Sequence, residues 1–266
     1  MRLAIYGAAG RMGRRLVALS GEDEQLELVT AIEAPGHPLL GQSASALAGE
    51  SVDRSSPAIS DKLKEQVEVL IDFSNPAGTR VALQWCRKLQ TAMVIGTTGL
   101  TDADHETIDQ ASAEIAVLQA PNMSMGVNLL LNLAATAAGR LGDDYDIEIT
   151  ETHHRYKKDA PSGTALALAR AVCDATGRTD DNLAFDRHGP DVPRKPRQIG
   201  MHALRSGDVV GRHTVSFATL GEELQLTHVA TNRDIFARGA LRAAKWLAGR
   251  KPGRYHMADV LGLDRP

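Results

Sequence analysis

Cysteine is scarce, long apolar runs are missing and neither sign of charge dominates; each absence removes a class of protein. The two cysteines, Cys86 and Cys173, lie in separate helical patterns without metal-ligand spacing, which excludes a disulfide scaffold or a cysteine zinc site and suits a reducing compartment. The stretch from Leu129 to Ala138 is too short and too interrupted to span a bilayer. The first residues run directly into a strand pattern, without the n-region or h-region of a signal peptide, so a cytoplasmic location is expected. A net charge of −3 gives no basic footprint for nucleic acid. Internal repeats and low-complexity tracts are also missing. With 266 residues, 43% hydrophobic and 24% charged, the composition is ordinary for a globular protein and leaves room for two domains and a full core.

What the chain does have, from its start, is an apolar strand, a glycine turn and an amphipathic helix in succession, RLAIYGAAGRMGRRLVAL. Gly7, Gly10 and Gly13 form a variant dinucleotide fingerprint: glycines permit the tight turn, close approach of a pyrophosphate and close packing of helix on strand. A second strand, Leu26 to Ile32, ends at Glu33, twenty residues after Gly13, where an acid accepts hydrogen bonds from an adenosine ribose. The alternation continues with a strand from Glu68 to Phe73, a helix from Ala77 to Leu89, a strand from Ala92 to Ile95, a helix from Asp102 to Glu114 and a fifth strand from Ile115 to Gln119. These later strands end in DFSNP, GTTG and APNMS, and in an open parallel sheet the cofactor lies along that edge. Taken singly, Asp72, Ser74, Thr97, Thr98 and Asn122 suit helix capping equally well. Gly36 to Gly49 reads as a surface loop rich in small residues.

The densest chemistry runs from Glu151 to Ala169, ETHHRYKKDAPSGTALALA. Ile147, Ile149 and Glu151 alternate as a strand entering His153, and Ala165 to Val172 reads as a helix, so the polar residues collect at the junction. Pro161, Ser162, Gly163 and Thr164 supply the helix start, with Ser162 as N-cap. A helix N-terminus suits a carboxylate or phosphate, Lys157 or Lys158 adds mobile charge, and a histidine exchanges protons near neutral pH. Neighbouring His153 and His154 on a strand point to opposite faces, which disfavours a metal ion held by both. Beyond this block, a long helix from Met125 to Leu141 and strands over 145–153, 198–204, 209–219 and 222–231 make a mixed sheet with one covered face, and a domain boundary falls near Asn122 to Ser124. Arg187, Arg194, Lys195 and Arg197, among Gly and Pro, read as a solvated loop near an anionic substrate.

Together these residues resemble the 4-hydroxy-tetrahydrodipicolinate reductase (dihydrodipicolinate reductase) family of the diaminopimelate route to lysine. The resemblance covers essentially the whole chain and rests on GAAGRMG, DFSNP, GTTG, APNMS with the following GVN, and above all E-x-HH-x-x-K-x-DAPSGTA; IGMHALRSGDVVGRHTVSF, Gly221-Glu222 and FARGALRAAKWL match later blocks. It implies an α/β fold: a Rossmann-type parallel-sheet nucleotide domain, residues 1–124 completed by 233–266, and a smaller α+β domain with a mixed sheet, residues 125–232, that binds substrate and builds a homotetramer. It implies His153 as proton donor or acceptor and Lys157 as the second catalytic group. His154, Gly163 and Thr164 match substrate positions, beside Ser162 at the same helix start. Cofactor positions fall on Gly7, Ala8, Ala9, Gly10, Arg11, Met12, Glu33, Gly96, Thr97, Thr98, Ala120, Pro121, Asn122 and Met123. The implied reaction is hydride transfer from NADH or NADPH to a cyclic dicarboxylate with loss of water, requiring no metal.

Two positions depart from the family pattern. Ala34-Pro35 follows Glu33 where several relatives carry arginine, so NADH is expected to serve at least as well as NADPH, with Arg11 the remaining phosphate contact. Arg212 stands where relatives commonly have glutamate. A different dehydrogenase of a small carboxylate would share the glycine turn without a need for the His153-Lys157-Thr164 block, and a nucleotide sensor would dispense with the proton donor.

Overall fold

The computed structural model describes residues 1–49 and 56–263. In chain order its elements are β1 (Arg2–Tyr6), α1 (Arg11–Gly21), β2 (Glu27–Ile32), β3 (Ile59–Ser60), β4 (Val69–Asp72), α2 (Pro76–Leu89), β5 (Ala92–Ile95), α3 (Asp102–Ser112), β6 (Ala116–Gln119), α4 (Met125–Leu141), β7 (Asp146–His153), α5 (Gly163–Thr176), β8 (Leu183–Ala184), β9 (Ile199–Arg205), β10 (Gly211–Thr219), β11 (Glu222–Ala230), α6 (Asp234–Leu247), β12 (Gly253–Tyr255) and α7 (Met257–Leu261). They divide into two units, Met1–Ser124 with Asp234–Gly262, and Met125–Arg233.

The first unit carries a parallel sheet in the order β12-β6-β5-β4-β1-β2-β3. VLID of β4 and AMVI of β5 are buried at every position, which is why they read as short apolar runs rather than alternations. Read from β3 to β6, the order 3-2-1 then 4-5-6 is the doubly wound arrangement, and it reverses between β1 and β4. The glycine turn after β1 and DFSNP after β4 therefore open at the switch point. Gly13 is what brings α1 down onto that turn: a side-chain carbon there would lie 2.0 Å from the Gly7 carbonyl oxygen. At Gly7, with φ of 77°, one would lie 2.6 Å from the Phe73 carbonyl oxygen.

Local signals explain most helix starts in this unit. Asn75 accepts from the Gly78 N–H at 3.0 Å ahead of Pro76, and Thr101 with Asp104 forms a capping box on α3. Helix caps thus fall on Asn75 and Thr101, not on Asp72, Ser74 or Thr97, whose side chains bond one another. The surface loop read from Gly36 to Gly49 is partly ordered: Ala44–Ala48 is a 3-10 helix whose Ala44 and Leu47 are buried, because they cover α1. The short strands β3, β8 and β12 escaped sequence reading; β12 extends the sheet by pairing in parallel with β6.

The second unit has a mixed sheet, β11-β10-β7-β9-β8, antiparallel from β11 to β7 and parallel from β7 to β8. Ile147, Ile149, Met201, Val215 and Phe217 face inward against Leu130 and Ala134 of α4 and Leu168 and Val172 of α5. The opposite face carries Thr150, Thr152, Thr214, Ser216 and Thr227, with Thr214 and Thr227 hydroxyls 3.0 Å apart. Arg212, on that face between Thr152 and Val229, is exposed, and nothing in the structure explains its departure from glutamate. The basic cluster expected to be a solvated loop is instead pinned. Arg187 and Arg194 both donate to Glu148, Arg194 also reaches the carbonyls of Ile147 (3.1 Å) and Gln198 (2.5 Å), and Arg197 donates to the Thr176 carbonyl at 2.9 Å; Lys195 stays exposed. A half-buried carboxylate on the sheet, invisible from the loop's own composition, collects the guanidinium groups.

No helix among the described residues is long and apolar enough to cross a membrane.

Because Gly13 touches backbone that cannot yield, Gly13→Ala is expected to lower stability by about 1–3 kcal/mol or more and to abolish nucleotide binding. Gly21→Ala, at the open end of the same helix with no atom within 4 Å, is expected to be neutral or stabilising by up to about 1 kcal/mol. Thermal melts of the two variants with and without nucleotide check both.

Candidate functional site

In the first unit, Arg11, Met12, Gly96, Thr97, Thr98, Pro121, Asn122 and Met123 line one cleft of about 420 Å³ together with Phe73, Ser74 and Phe236. Its floor is organised by Asp72. This fully buried carboxylate accepts from the Ser74 amide (3.0 Å) and hydroxyl (2.6 Å), and from the hydroxyls of Thr79 and Thr97. Burial drives its pKa up, and the four donors offset that only in part. The Thr97 hydroxyl is thereby committed to Asp72. Gly96 is required by contact: a side-chain carbon there would stand 2.3 Å from the Phe73 ring.

The glycine turn and its neighbours fit a dinucleotide. Helix α1 begins at Gly10 with no side-chain cap and no acid in its first turn, so its leading N–H groups and dipole suit a pyrophosphate, with Arg11 beside them. The Gly7 and Ala8 amides both donate to the Ile32 carbonyl, which fastens the turn to the end of β2. Glu33, buried at that end, accepts from the Ala9 N–H at 2.6 Å and the Ala34 N–H at 3.2 Å. A carboxylate has about four acceptor positions, so capacity for a ribose diol remains. Ala120 is buried, its amide bonded to the Ile95 carbonyl, and supports the wall from behind.

In the second unit, β7 delivers Glu151 and His153 to the inner face, and the loop that follows carries Lys157 to the start of α5. The strand ends at His153, so His154 lies beyond it and not on the strand's opposite face. His154 Nε2 instead accepts from Arg233 at 3.4 Å. His153 Nδ1 lies 2.5 Å from Glu151 Oε2. Glu151, 1% exposed, is gripped from two sides: Arg205 donates to both of its oxygens at 3.0 and 2.9 Å, and the Ser162 N–H donates to Oε1 at 3.1 Å. Arg205 also donates to the Asp159 carbonyl at 2.5 Å, tying this cluster to the loop of Lys157. Lys157 itself pairs with Asp159 at 2.8 Å.

Ser162, expected beside substrate and as the cap of α5, is found as that cap. It is 2% exposed; its hydroxyl accepts from the Ala165 N–H at 3.2 Å and bonds His213 Nε2 at 3.0 Å, while its amide serves Glu151. Every polar group of Ser162 is used to cap α5 and to seal the cluster. Gly163 is exposed at the helix start, with open space where a side chain would project, and Thr164 follows it.

Burial is the largest influence on all three ionisable groups here. It pushes Glu151 up, but the bonds from Arg205 and His153 outweigh it and hold the carboxyl below its ordinary range. It pushes His153 down; Glu151 pulls the other way, Lys157 and Arg205 add to the depression, and the net is below the ordinary value. It pushes His213, with the neighbouring His153 charge, down to about 4. Glu151, Arg205, His213, Phe73 and Phe236 were not singled out from sequence. Glu151 carried a signal, an acid at an inward position of a strand otherwise filled by Ile147 and Ile149; the others are brought in by strands and helices distant along the chain.

His213 sets an acid limit on stability. Its folded pKa lies below the unfolded 6.5, so its contribution is fully present above pH 6.5 and is lost as pH falls toward about 4. A depression of that size in a side chain 4% exposed is worth about 3 kcal/mol. His213→Gln, which keeps a partner for Ser162, is expected to remove most of that loss when stability is measured by denaturant titration across this range.

Family models described as Dihydrodipicolinate reductase, N-terminus, and Dihydrodipicolinate reductase, C-terminus, match residues 1–123 and 126–261. The chain is 51% identical over 266 residues to the 4-hydroxy-tetrahydrodipicolinate reductase of Alkalilimnicola ehrlichii, covering 98% of this chain and 99% of that one. It is 47% identical over 264 residues to the enzyme of the same name from Thiobacillus denitrificans, covering 99% of each. Among solved structures, a dipicolinate-bound dihydrodipicolinate reductase from Paenisporosarcina sp. TG-14 shares the fold with a TM-score of 0.77 at 23% identity, covering 97% of this chain and 98% of that one. A doubly wound sheet with its glycine turn at the switch point, a mixed-sheet unit carrying the His153 cluster, and matches along both halves place the chain in the dihydrodipicolinate reductase family.

Proposed function

We propose that this chain reduces 4-hydroxy-tetrahydrodipicolinate to tetrahydrodipicolinate with NAD(P)H and loss of water, a step of diaminopimelate and lysine biosynthesis. The first unit holds the nucleotide and the second the dicarboxylate. The observation that carries the reading is the His153 ring, fixed at Nδ1 by a buried carboxylate with Nε2 left for a substrate, beside Lys157 and the start of α5.

A bound reduced nicotinamide supplies the hydride. The chain's residues supply position and charge. Loss of water from the 4-hydroxy substrate gives dihydrodipicolinate; hydride addition to that conjugated ring leaves negative charge on its carbon and nitrogen framework, and a proton from His153 Nε2 neutralises it. In the free protein His153 is held below its ordinary pKa by burial, Lys157 and Arg205. A doubly negative substrate reverses that balance, so the imidazolium forms with substrate in place. Lys157 exchanges Asp159 for a substrate carboxylate, and the backbone at Gly163 and Thr164 holds a carboxylate against the helix end. His154, oriented by Arg233, flanks the same loop.

NADH serves at least as well as NADPH. The buried Glu33 carboxylate would meet a 2′-phosphate at close range, and Ala34 offers no guanidinium to offset the repulsion. The protein works as a cytoplasmic homotetramer: the second unit's sheet is covered by helices on one face only, and its other face exposes Leu204 and Val229 amid threonines.

His153→Gln is expected to lower kcat by about 10²–10⁴-fold with nucleotide affinity unchanged, and Lys157→Ala to harm kcat and substrate KM together. Oxidation of NADH with freshly generated substrate measures both, and near-wild-type turnover in His153→Gln rules out its role as proton donor. Ala34→Arg is expected to shift the ratio of kcat/KM values toward NADPH by about ten- to a hundredfold, the worth of one charge-assisted contact. An unchanged ratio, or a wild type strongly preferring NADPH, means that the phosphate is read elsewhere.

A further inference from the structure

Glu151 sits at an inward position of β7, where its neighbours on the same face are Ile147 and Ile149. An ionised carboxylate there is costly unless its acceptor positions are filled. They are filled in a particular way. Oε1 accepts from Arg205 and from the Ser162 amide, and Oε2 accepts from Arg205 and faces His153 Nδ1. The fork of Arg205 and the Ser162 N–H together fix the plane of the carboxylate, and a carboxylate has no proton of its own to give. The His153 nitrogen facing it must therefore be the N–H donor.

We propose that Glu151 is a positioning residue for the reduction: held by Arg205 and Ser162, it keeps the proton of neutral His153 on Nδ1, so that only Nε2 exchanges protons with substrate. This rests on His153 as the proton donor. Gly211 completes the arrangement on the far side of the ring, where a side-chain carbon would stand 3.2 Å from Nε2, so a larger residue would crowd the working nitrogen. The charged and titratable groups facing His153 are Glu151 on its own strand, Arg205 on β9, His213 on β10, edge-on at 5.1 Å between ring centroids, and Lys157 from the following loop. Of these Glu151 favours the imidazolium, and Lys157 and Arg205 oppose it. Removing its charge while keeping its shape therefore moves the titration of His153 downward.

The test begins with the wild-type protein, labelled with ¹⁵N-histidine. The neutral His153 ring is expected to show a protonated Nδ1 and to titrate at Nε2; a neutral ring protonated at Nε2 overturns the proposal without any variant being needed. In Glu151→Gln the His153 midpoint is expected to fall by about one pH unit, and kcat by about 10²-fold with KM for the nucleotide unchanged. In a His153→Gln background the same substitution is expected to cost no more than about twofold further, because both changes remove one function. An unchanged midpoint, or losses that multiply in the double variant, assigns Glu151 a merely structural role. Wild-type turnover in His153→Gln alone overturns the proton-donor reading itself, an outcome separate from the other two.

Discussion

A carboxylate placed where water cannot reach must have its charge answered by hydrogen bonds, and both units of this protein are organised around one. In the first, Asp72 at the end of β4 gathers Ser74, Thr79 and Thr97, and so fixes the turns that line the cleft. In the second, Glu151 gathers Arg205, Ser162 and His153, and so fixes a strand end, a helix start and a loop around the His153 ring. The two solutions differ in charge. Asp72 is answered by neutral hydroxyls and an amide and is pushed above its ordinary pKa by burial, whereas Glu151 has a guanidinium and stays below its own. The second is the one that keeps a full negative charge beside an imidazole.

Close backbone approach is the companion constraint in the first unit. The glycine turn works because three surfaces meet with no side chain between them: Gly7 against Phe73, Gly13 against Gly7, and Gly96 against the Phe73 ring. Each contact lies at the C-terminal edge of a parallel strand, where the reversal of strand order opens a crevice. At the far side of the same unit, α6 reaches Met123 through Gly239, where a side-chain carbon would stand 1.8 Å from the Met123 carbonyl oxygen. The wall of the cleft thus depends on a helix remote in sequence from the residues that line most of it.

By itself, the sequence determined the longer elements, their class and most of the residues that line the first unit's cleft. Unbroken apolar runs, the glycine spacing and small polar residues after each strand are local patterns whose meaning follows from strand burial and turn geometry. It also located the His153 block, because a strand entering a Pro-Ser-Gly-Thr helix start is legible within a few residues, and Ser162 proved to be the cap that pattern demands. Tertiary structure alone decided what surrounds those residues. Ser162 turned inward because Glu151 and His213 consume its polar groups; Arg187 and Arg194 left solvent because Glu148 on the open sheet face draws them in. Arg205 reached Glu151 only through the register of β9 beside β7, which sets Arg205 opposite His153 and Ala203 opposite Glu151. Hydrophobic patterning records which face of an element is buried, whereas the partner of a buried charge is fixed by strand pairing between residues dozens of positions apart, and no local pattern carries that information.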